Sequence, residues 1–600
     1  MTPAVDGANA SFAIAIDGTE LDQETSEDVI KIEIEEEIGR LARATVVLRN
    51  WDSEADAAEE APAAKLEAGH EITIKLGYDS ELDEVFDGVV VAAVAQARRG
   101  GLPQLELRCR CRGIKLLGTS RFRVWTDQSD LDAVTSLCGD ADLKVSGQSA
   151  FVHPFLVQHR IPDWTFVLAR AAALGVQPYV RGKTLNFKPA EEGAAVVTLD
   201  WGENLLEAEL SQDISSAFGD CQGTSWDPES KESVSVTSPA SAARITGGDR
   251  PDRTKLLGTA KLGDSRTREV SECAPMDQAE LEAWTKALVD RGASDAYHGT
   301  ASCLGDPKLR IDSVIDIAGF GKAFDGSYYV TRVRHRFVVS GFETQVGFGT
   351  PPVPTPEARA RDERVMPRMD SLVIACVESF EDEDRTQGRV QVRFPWMSED
   401  ESPVWARLAT PAGGAERGFV FVPEPDDEVL IQFVDGDPRH PVVVGSLWNG
   451  KDAPPDSYDA QKNDRRALVS RAGHKLVFDD GEDTPGVLVE TAAGQKVHLD
   501  DSSGSEAIVL ADKTGNELKM NADGMSLTAA AGKSIELSAS GGSISLSANE
   551  IAATADSSIA LKGNAGATLE STATTEVKGV EVSLSGSGMV KAQAPMIKLN

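Results

Sequence analysis

"ISLSANEIAATADSSIALKGNAGATLEST" occupies Ile544–Thr572 and holds no aromatic residue, no proline and no cysteine. Its apolar residues come as pairs two apart, and residues two apart point to the same face of a β-strand. Such pairs continue on both sides: Met525 with Leu527, Ile535 with Leu537, Ile544 with Leu546, Ile559 with Leu561, Val582 with Leu584, and Ile597 with Leu599. The first five pairs are the expected core of the shaft. Met525 to Ile597 is nine steps of eight residues, and one strand plus one turn uses the eight. A chain closing a full coil every eight residues has sides too short to enclose side chains. Three chains, each giving one strand per layer, close a triangular prism. Gly, Ala, Ser and Thr fill 43 of the 80 positions from 521 to 600, which suits tight corners and a slim stacked shaft. Upstream, Val487/Val489, Val497/Leu499, Ile508/Leu510 and Leu518/Met520 continue the pattern with longer steps.

The competing reading is a single-chain parallel β-helix, because three steps of eight also make one coil of 24. Monomeric solenoids of that kind are often polysaccharide-degrading enzymes. That reading requires a 24-residue super-repeat and carboxylates gathered on one face. Glu536, Glu550, Asp556, Glu570, Glu576 and Glu581 share no common spacing.

The rest of the chain sets wider bounds. Its 600 residues are too many for one core, and 41% hydrophobic content is enough for several. A net charge of −36 opposes a nucleic-acid groove, which needs clustered Lys and Arg. "MTPAVDGANASFAIAIDG" has no basic stretch leading into an apolar one, so no signal peptide is expected. No run of eighteen apolar residues occurs. The seven cysteines, at 109, 111, 138, 221, 273, 303 and 376, fit free thiols in a reducing compartment. Cys109 and Cys111 share a strand face with no Cys/His pair nearby, and read as buried structural thiols.

Composition divides the chain into a mixed region 1–350, a Pro-rich charged linker 351–367, an all-β region 368–450, a polar linker 451–466 and a β-repeat region 467–600. In "VIKIEIEEEIG", Ile30, Ile32 and Ile34 are expected on one face and Glu35–Glu37 at a solvated edge. Three helices are predicted. Ser129 caps the first, with Leu131, Val134 and Cys138 inward and Gly139 as its stop. Asp163 caps the second, which buries Trp164, Val167, Leu168, Ala171 and Ala172 and ends at Gly175. An Asp277/Glu280 capping box opens the third, which packs Leu281, Trp284 and Leu288.

"GRVQVRFPW" alternates Val390, Val392 and Phe394 against Arg389, Gln391 and Arg393. "GFVFVPEPDDEVLIQFVDGDPRHPVVVGSLWNG" is expected to add three strands with tight turns. About eighty residues of short strands predict a small closed barrel of OB type. Asp426, Asp427, Glu428, Asp435 and Asp437 in its loops oppose oligonucleotide binding. These motifs, with "VWARLATP" between them, resemble the OB-fold of VgrG-type spike proteins of contractile injection systems. Those systems include type VI secretion, phage baseplates and phage-tail-like particles. "IPDWTFVLARAAALGVQPYV" and "FDGSYYVTRVRHRF" resemble the hub of that family, and "SRAGHKLVFDD" resembles the start of its needle.

The resemblance implies a mainly β fold with some α. It implies barrel-like hub domains with helical inserts, an OB collar and a trimeric β-helix or prism. It implies a homotrimer that mates with inner-tube and baseplate proteins, carries a PAAR-like tip protein and in some relatives cargo effectors. It implies assembly in the cytoplasm into a particle that is released or acts on a target membrane. With the repeat running to the end of this sequence, Met596, Ile597 and Leu599 are the expected seat of the tip protein.

Catalytic motifs are not found. "TAAAGKSIEL" ends like a phosphate-binding loop, but Leu527 stands where its first Gly belongs. The histidines at 70, 153, 159, 298, 335, 440, 474 and 498 have no ligand spacing. The expectation is a structural spike, with no catalytic, cofactor or metal residues and no cofactor. The alternatives are a cargo or toxin carrier and a polysaccharide-degrading β-helix enzyme.

Overall fold

The structure is a computed structural model. It describes residues 9–50, 66–118, 120–148, 151–191, 193–215, 217–240, 256, 266–272, 274–294, 296–349, 365–379, 388–455 and 462–598. The chain divides into two compact units, residues 1–453 and 454–600. No helix among the described residues is long and apolar enough to cross a membrane.

In the first unit, strand alternation builds a 13-stranded sheet over two cores. One core gathers Ile32, Ile34, Ile72, Ile74 and Leu107, and the other Ile315, Val330, Val333 and Val346. The halves are joined by antiparallel pairing of Val29–Glu37 with Gly326–Val338, which sets Ile34 opposite His335. A bulge between Val29 and Lys31 shifts the expected alternation, so that Val29, not Ile30, joins Ile32 and Ile34 inside. Glu36 follows Ile32 and Ile34 on the inner face by the same alternation. Glu36, expected at a solvated edge, is buried and gripped by Arg310 through two hydrogen bonds of 2.7 Å. Glu33 and Glu35 do face outward, where they pair with Arg334 and Arg43 on neighbouring strands.

Three longer helices pack beside the sheet: α1 (Asp130–Asp140), α2 (Asp163–Leu174) and α3 (Gln278–Ser294). Helix α1 has the expected Ser129 cap, reciprocated by Asp132, and runs one residue past Gly139. Helix α2 starts at Asp163 behind Pro162, with no side-chain cap, and stops at Gly175, whose φ of 69° is left-handed. Val365 and Met366, at the end of the expected first linker, are buried beside Phe166 and Trp284; the linker up to 364 lies outside the described residues. Residues 456–461 of the second expected linker also lie outside the described residues.

Five strands close the barrel in the order Val373–Ser379, Arg389–Arg393, Val404–Leu408, Pro441–Leu447 and Glu428–Phe433. Val390, Val392 and Phe394 point inside as expected. The expected strand at Phe419–Val422 is absent: Arg417–Gly418 pairs with Gly413–Gly414, and the chain then runs free of any strand to Glu428. Parallel pairing of Arg407 with Val442 and Leu408 with Val443 closes the barrel and leaves no edge for another strand.

The second unit begins with a seven-stranded antiparallel meander from Arg465–Val469 to Gly524–Thr528. Each strand has five residues. Carboxylates head the turns: Asp512 accepts the backbone N–H of Thr514 at 2.8 Å and of Asn516 at 3.0 Å, and Gly515 takes a φ of 97°. From 529 to 598 no strand forms within this chain.

The seam between the hub halves offers a test. A Cβ on Gly305 would lie 2.0 Å from the buried Phe342 ring, which packs on Phe337 and Tyr78. Gly305→Ala is expected to lower stability by about 1–3 kcal/mol. Gly139→Ala, in open space within α1, is expected to raise it by about 0.5–1 kcal/mol. Thermal midpoints of the two variants should move in opposite directions.

Candidate functional site

Two arrangements stand out, one in each unit. In the second unit, the meander's register carries alternate residues into two rows on one face. The first row is Leu468, Leu476, Val489, Val497, Leu510, Leu518 and Leu527. The second is Phe478, Val487, Leu499, Ile508, Met520 and Met525. The pairs recognised from sequence, Met525 and Leu527 included, therefore share a face. Most of these side chains are at least 40% exposed among the described residues.

The pairs further along are expected in a core that three chains make together, and a single chain shows them uncovered. Ile535, Leu537, Ile544, Leu546, Ile559, Leu561, Val582 and Leu584 are expected in a shaft core, but in this chain all eight are exposed. Leu561 and Leu584 depart furthest from a core setting, at 89% and 79% exposed. The physical reason is that backbone 529–598 makes no sheet within the chain, so no neighbouring strand stands over these side chains. Met525 and Leu527 do sit in a strand, yet they too are exposed, because the meander has only one layer. Met596 and Ile597 are exposed as well, while Leu599 lies outside the described residues. Contiguous apolar surface on this scale marks a binding face.

In the first unit, charges are buried where the helices meet the barrel. Arg170 on α2 donates to Asp130 on α1, to Glu280 on α3 at 3.1 Å and to the Val365 carbonyl at 3.2 Å. Asp130 also meets His153 Nε2 at 2.8 Å. Glu280 accepts two bonds from Arg439, at 2.7 and 2.9 Å, and Arg439 Nη2 grips Asp437 at 2.7 Å. Arg439 and Asp437 stand in the turn between the barrel's Glu428–Phe433 and Pro441–Leu447 strands. Burial pushes the Asp437 carboxyl up, but Arg439 outweighs it and holds the group down at about 2. Glu280 is likewise lowered, against its burial, by Arg439 and Arg170.

The sequence placed Glu280 in a capping box. Half of that box exists, since Glu280 N–H donates to Asp277 at 2.9 Å. Its carboxylate instead serves the two arginines. The available signal was Arg170, a charge three residues after Val167 on the apolar face of α2.

An aromatic box adjoins the charges. His159 is ringed by Phe122, Phe394, Trp396 and Phe433 at centroid distances of 5.4–5.8 Å. Burial, helped by Arg160, pushes its pKa down to about 4. Phe122, Val124 and Phe155 of the hub pack directly on the barrel core. Nearby, burial, a hydrogen bond to Asp435 and the charges of Asp435 and Asp437 push Glu272 up to about 7.

The other histidines are scattered. His70 pairs with Asp17, His335 with Thr344, and His474 accepts the Ala492 N–H. Among the described residues, no group of three His, Cys, Asp or Glu side chains could hold a metal ion. Cys109 and Cys111 are buried, and burial raises both thiols.

Comparison with known families assigns the parts. The model of the Alg8 N-terminal domain matches residues 6–338. The chain belongs to that family. Residues 373–448 match the type VI secretion system/phage-baseplate injector OB domain, and residues 486–552 match the phage baseplate V C-terminal trimerisation domain. These two domains agree with the VgrG-type motifs read from the sequence, and the fold class is the one expected.

Among curated relatives, the type VI secretion system spike protein VgrG2a of Pseudomonas aeruginosa is 30% identical over 145 residues, 22% of this chain and 17% of the relative. The actin cross-linking toxin VgrG1 of Vibrio cholerae is 28% identical over 127 residues, 19% of this chain and 11% of the toxin. The chain therefore spans less than a fifth of the length of either relative. The lidded Francisella PdpA-VgrG complex contains a similar fold, with a TM-score of 0.52 at 9% identity, covering 87% of this chain and 80% of that one.

Two outcomes follow from the junction. Arg439→Met leaves Asp437 buried without its guanidinium and Glu280 with Arg170 alone, and is expected to cost about 3–5 kcal/mol. Arg40→Met, which removes an exposed partner of Glu37, should cost less than about 1 kcal/mol. Chemical denaturation compares them. Glu272 holds its proton more tightly when folded, so its stabilising contribution is full below pH 4.5 and is lost as pH rises through about 7. Glu272→Gln should therefore flatten the pH dependence of the thermal midpoint across that window and be more stable than the parent at pH 8.

Proposed function

We propose that the chain is a non-enzymatic homotrimeric spike at the tip of a contractile injection system. In this reading it links the inner tube and baseplate to the piercing end. The observation that carries the proposal is the pair of apolar rows, solvent-facing in one chain and continued by exposed pairs down to Val582 and Leu584. A threefold axis beside that face brings three copies together. Each Val, Leu or Ile that becomes buried then contributes about 1.5–3 kcal/mol. The match of residues 486–552 to a trimerisation domain supports the same state.

The proposed division of labour follows the sequence boundaries. Residues 1–350 meet the tube and baseplate, 368–450 form the collar and 467–600 the needle. The junction charges suit the collar's part, because they bind one another and fasten the barrel to three helices. Met596 and Ile597 offer an apolar seat for a PAAR-like tip protein, and effectors carried at that end would be its cargo. The mechanism is mechanical. Sheath contraction drives the spike forward, and a slim, fully hydrogen-bonded shaft concentrates the force.

Native mass spectrometry should report about three times 63.9 kDa, and a stable monomer would defeat the proposal. Leu546→Asp would set three carboxylates together on the axis, at a cost of several kcal/mol, on the order of 3–5, per trimer. Ser545→Asp, on the opposite strand face, should leave the thermal midpoint within a degree or two of the parent. Equal shifts would contradict the register.

A further inference from the structure

The barrel carries an apolar segment that its own fold leaves uncovered. Phe419, Val420, Phe421 and Val422 are 54, 83, 66 and 44% exposed. Phe419 is anchored, its N–H donating to the Ala412 carbonyl at 3.0 Å and its carbonyl accepting from Thr410 Oγ1 at 2.9 Å. Beyond it the chain joins no strand until Glu428. Alternating aromatic and β-branched residues favour an extended, half-buried setting, which a lone barrel does not provide. Four consecutive exposed apolar residues in a chain of net charge −36 mark a contact surface.

The same barrel has a second, different apolar patch. Ile374 faces outward from Val373–Ser379, just after the exposed Leu372. Register sets Ile374 beside Leu430, and Leu430 beside Gly445, where a bulge turns Val444 out to solvent. Ile374, Leu430 and Val444 therefore form a stripe across three strands, with Leu372 at its end. Cys376 lies two residues beyond Ile374 on the same face and is exposed.

Threefold assembly requires two unlike surfaces on every copy, because its contacts are heterologous rather than self-complementary. The barrel has such a pair. Its occupant is also constrained by chain continuity. The last barrel strand ends at Leu447, the meander begins at Arg465, and the trimerisation domain match begins at 486. Barrels tethered so closely to a common trimer meet at an effective concentration on the order of millimolar. We propose that Phe419–Val422 of each chain docks on the Ile374–Leu430–Val444 stripe of the next copy, closing a ring of three barrels. The proposal rests on the trimeric reading above and adds a second, independent point of contact to it.

The test uses the full chain with Val420→Cys, a short bismaleimide and the native Cys376. Covalent dimers and trimers are expected, absent from the parent and from Val420→Cys/Cys376→Ser. Adding Phe421→Asp to Val420→Cys should slow the cross-linking at least tenfold. Native mass spectrometry is run on every variant. A trimeric mass without cross-links between copies, cross-links that survive loss of Cys376, or an unchanged rate with Phe421→Asp overturns the docking and leaves the trimer standing. A monomeric mass overturns both.

Discussion

The hub and the barrel are held together by two guanidinium groups, Arg170 and Arg439, that share one carboxylate. Glu280 lies between them, with Asp130 and Asp437 at the two ends. Removing such charges from water is costly, and only mutual pairing offsets it. The arrangement is therefore intolerant of partial formation: α1, α2, α3 and the barrel turn must all arrive, or a charge is stranded. A greasy interface of the same size could slide. This one has a single geometry, because guanidinium and carboxylate bond through fixed planes. The aromatic box around His159 seals the adjoining surface, so hub and barrel behave as one body at their junction.

The second unit follows the opposite logic. It buries almost nothing within one chain and spends its apolar residues on a face directed outward. Its local turns are nevertheless well satisfied, with Asp500 and Asp512 collecting backbone N–H groups. Order along the strand is thus encoded in each chain, while the apolar face is left uncovered by it. Polar tight turns and deferred apolar faces are compatible because the five-residue strand separates them.

Much of this was legible in sequence. The barrel was readable because Val390, Val392 and Phe394 alternate strictly with charged residues, and the shaft face because its pairs keep a period of two. That period identifies a face and not its cover, which is why Leu561 and Leu584 read as core residues yet stand exposed in one chain. Helix ends at Ser129 and Gly175 were readable from local backbone chemistry. What escaped was long-range. The role of Glu280 depends on Arg439, 159 positions away, and that of Glu36 on Arg310, 274 away. Glu36 lies on the same strand face as Ile32 and Ile34, and the distant Arg310 is what lets a carboxylate sit there. Phe419–Val422 has the composition of a strand, yet the closed barrel leaves it no edge. The tandem hub barrels were expected by resemblance, and no periodicity announced the continuous sheet that joins their two cores.

That sheet has a consequence for how the molecule is made. Val29–Glu37 pairs with Gly326–Val338, so an early strand waits about three hundred residues for its neighbour. Closing so long a loop is slow, and meanwhile the strand's open edge is a site for wrong pairing. The meander is the reverse, since every strand pairs with the one just made. Synthesis therefore makes the slow part first, and the quick, sticky part emerges after it. The strand Val29–Glu37 is thus made first and completed late, while the strands that carry the apolar rows are made last and paired at once.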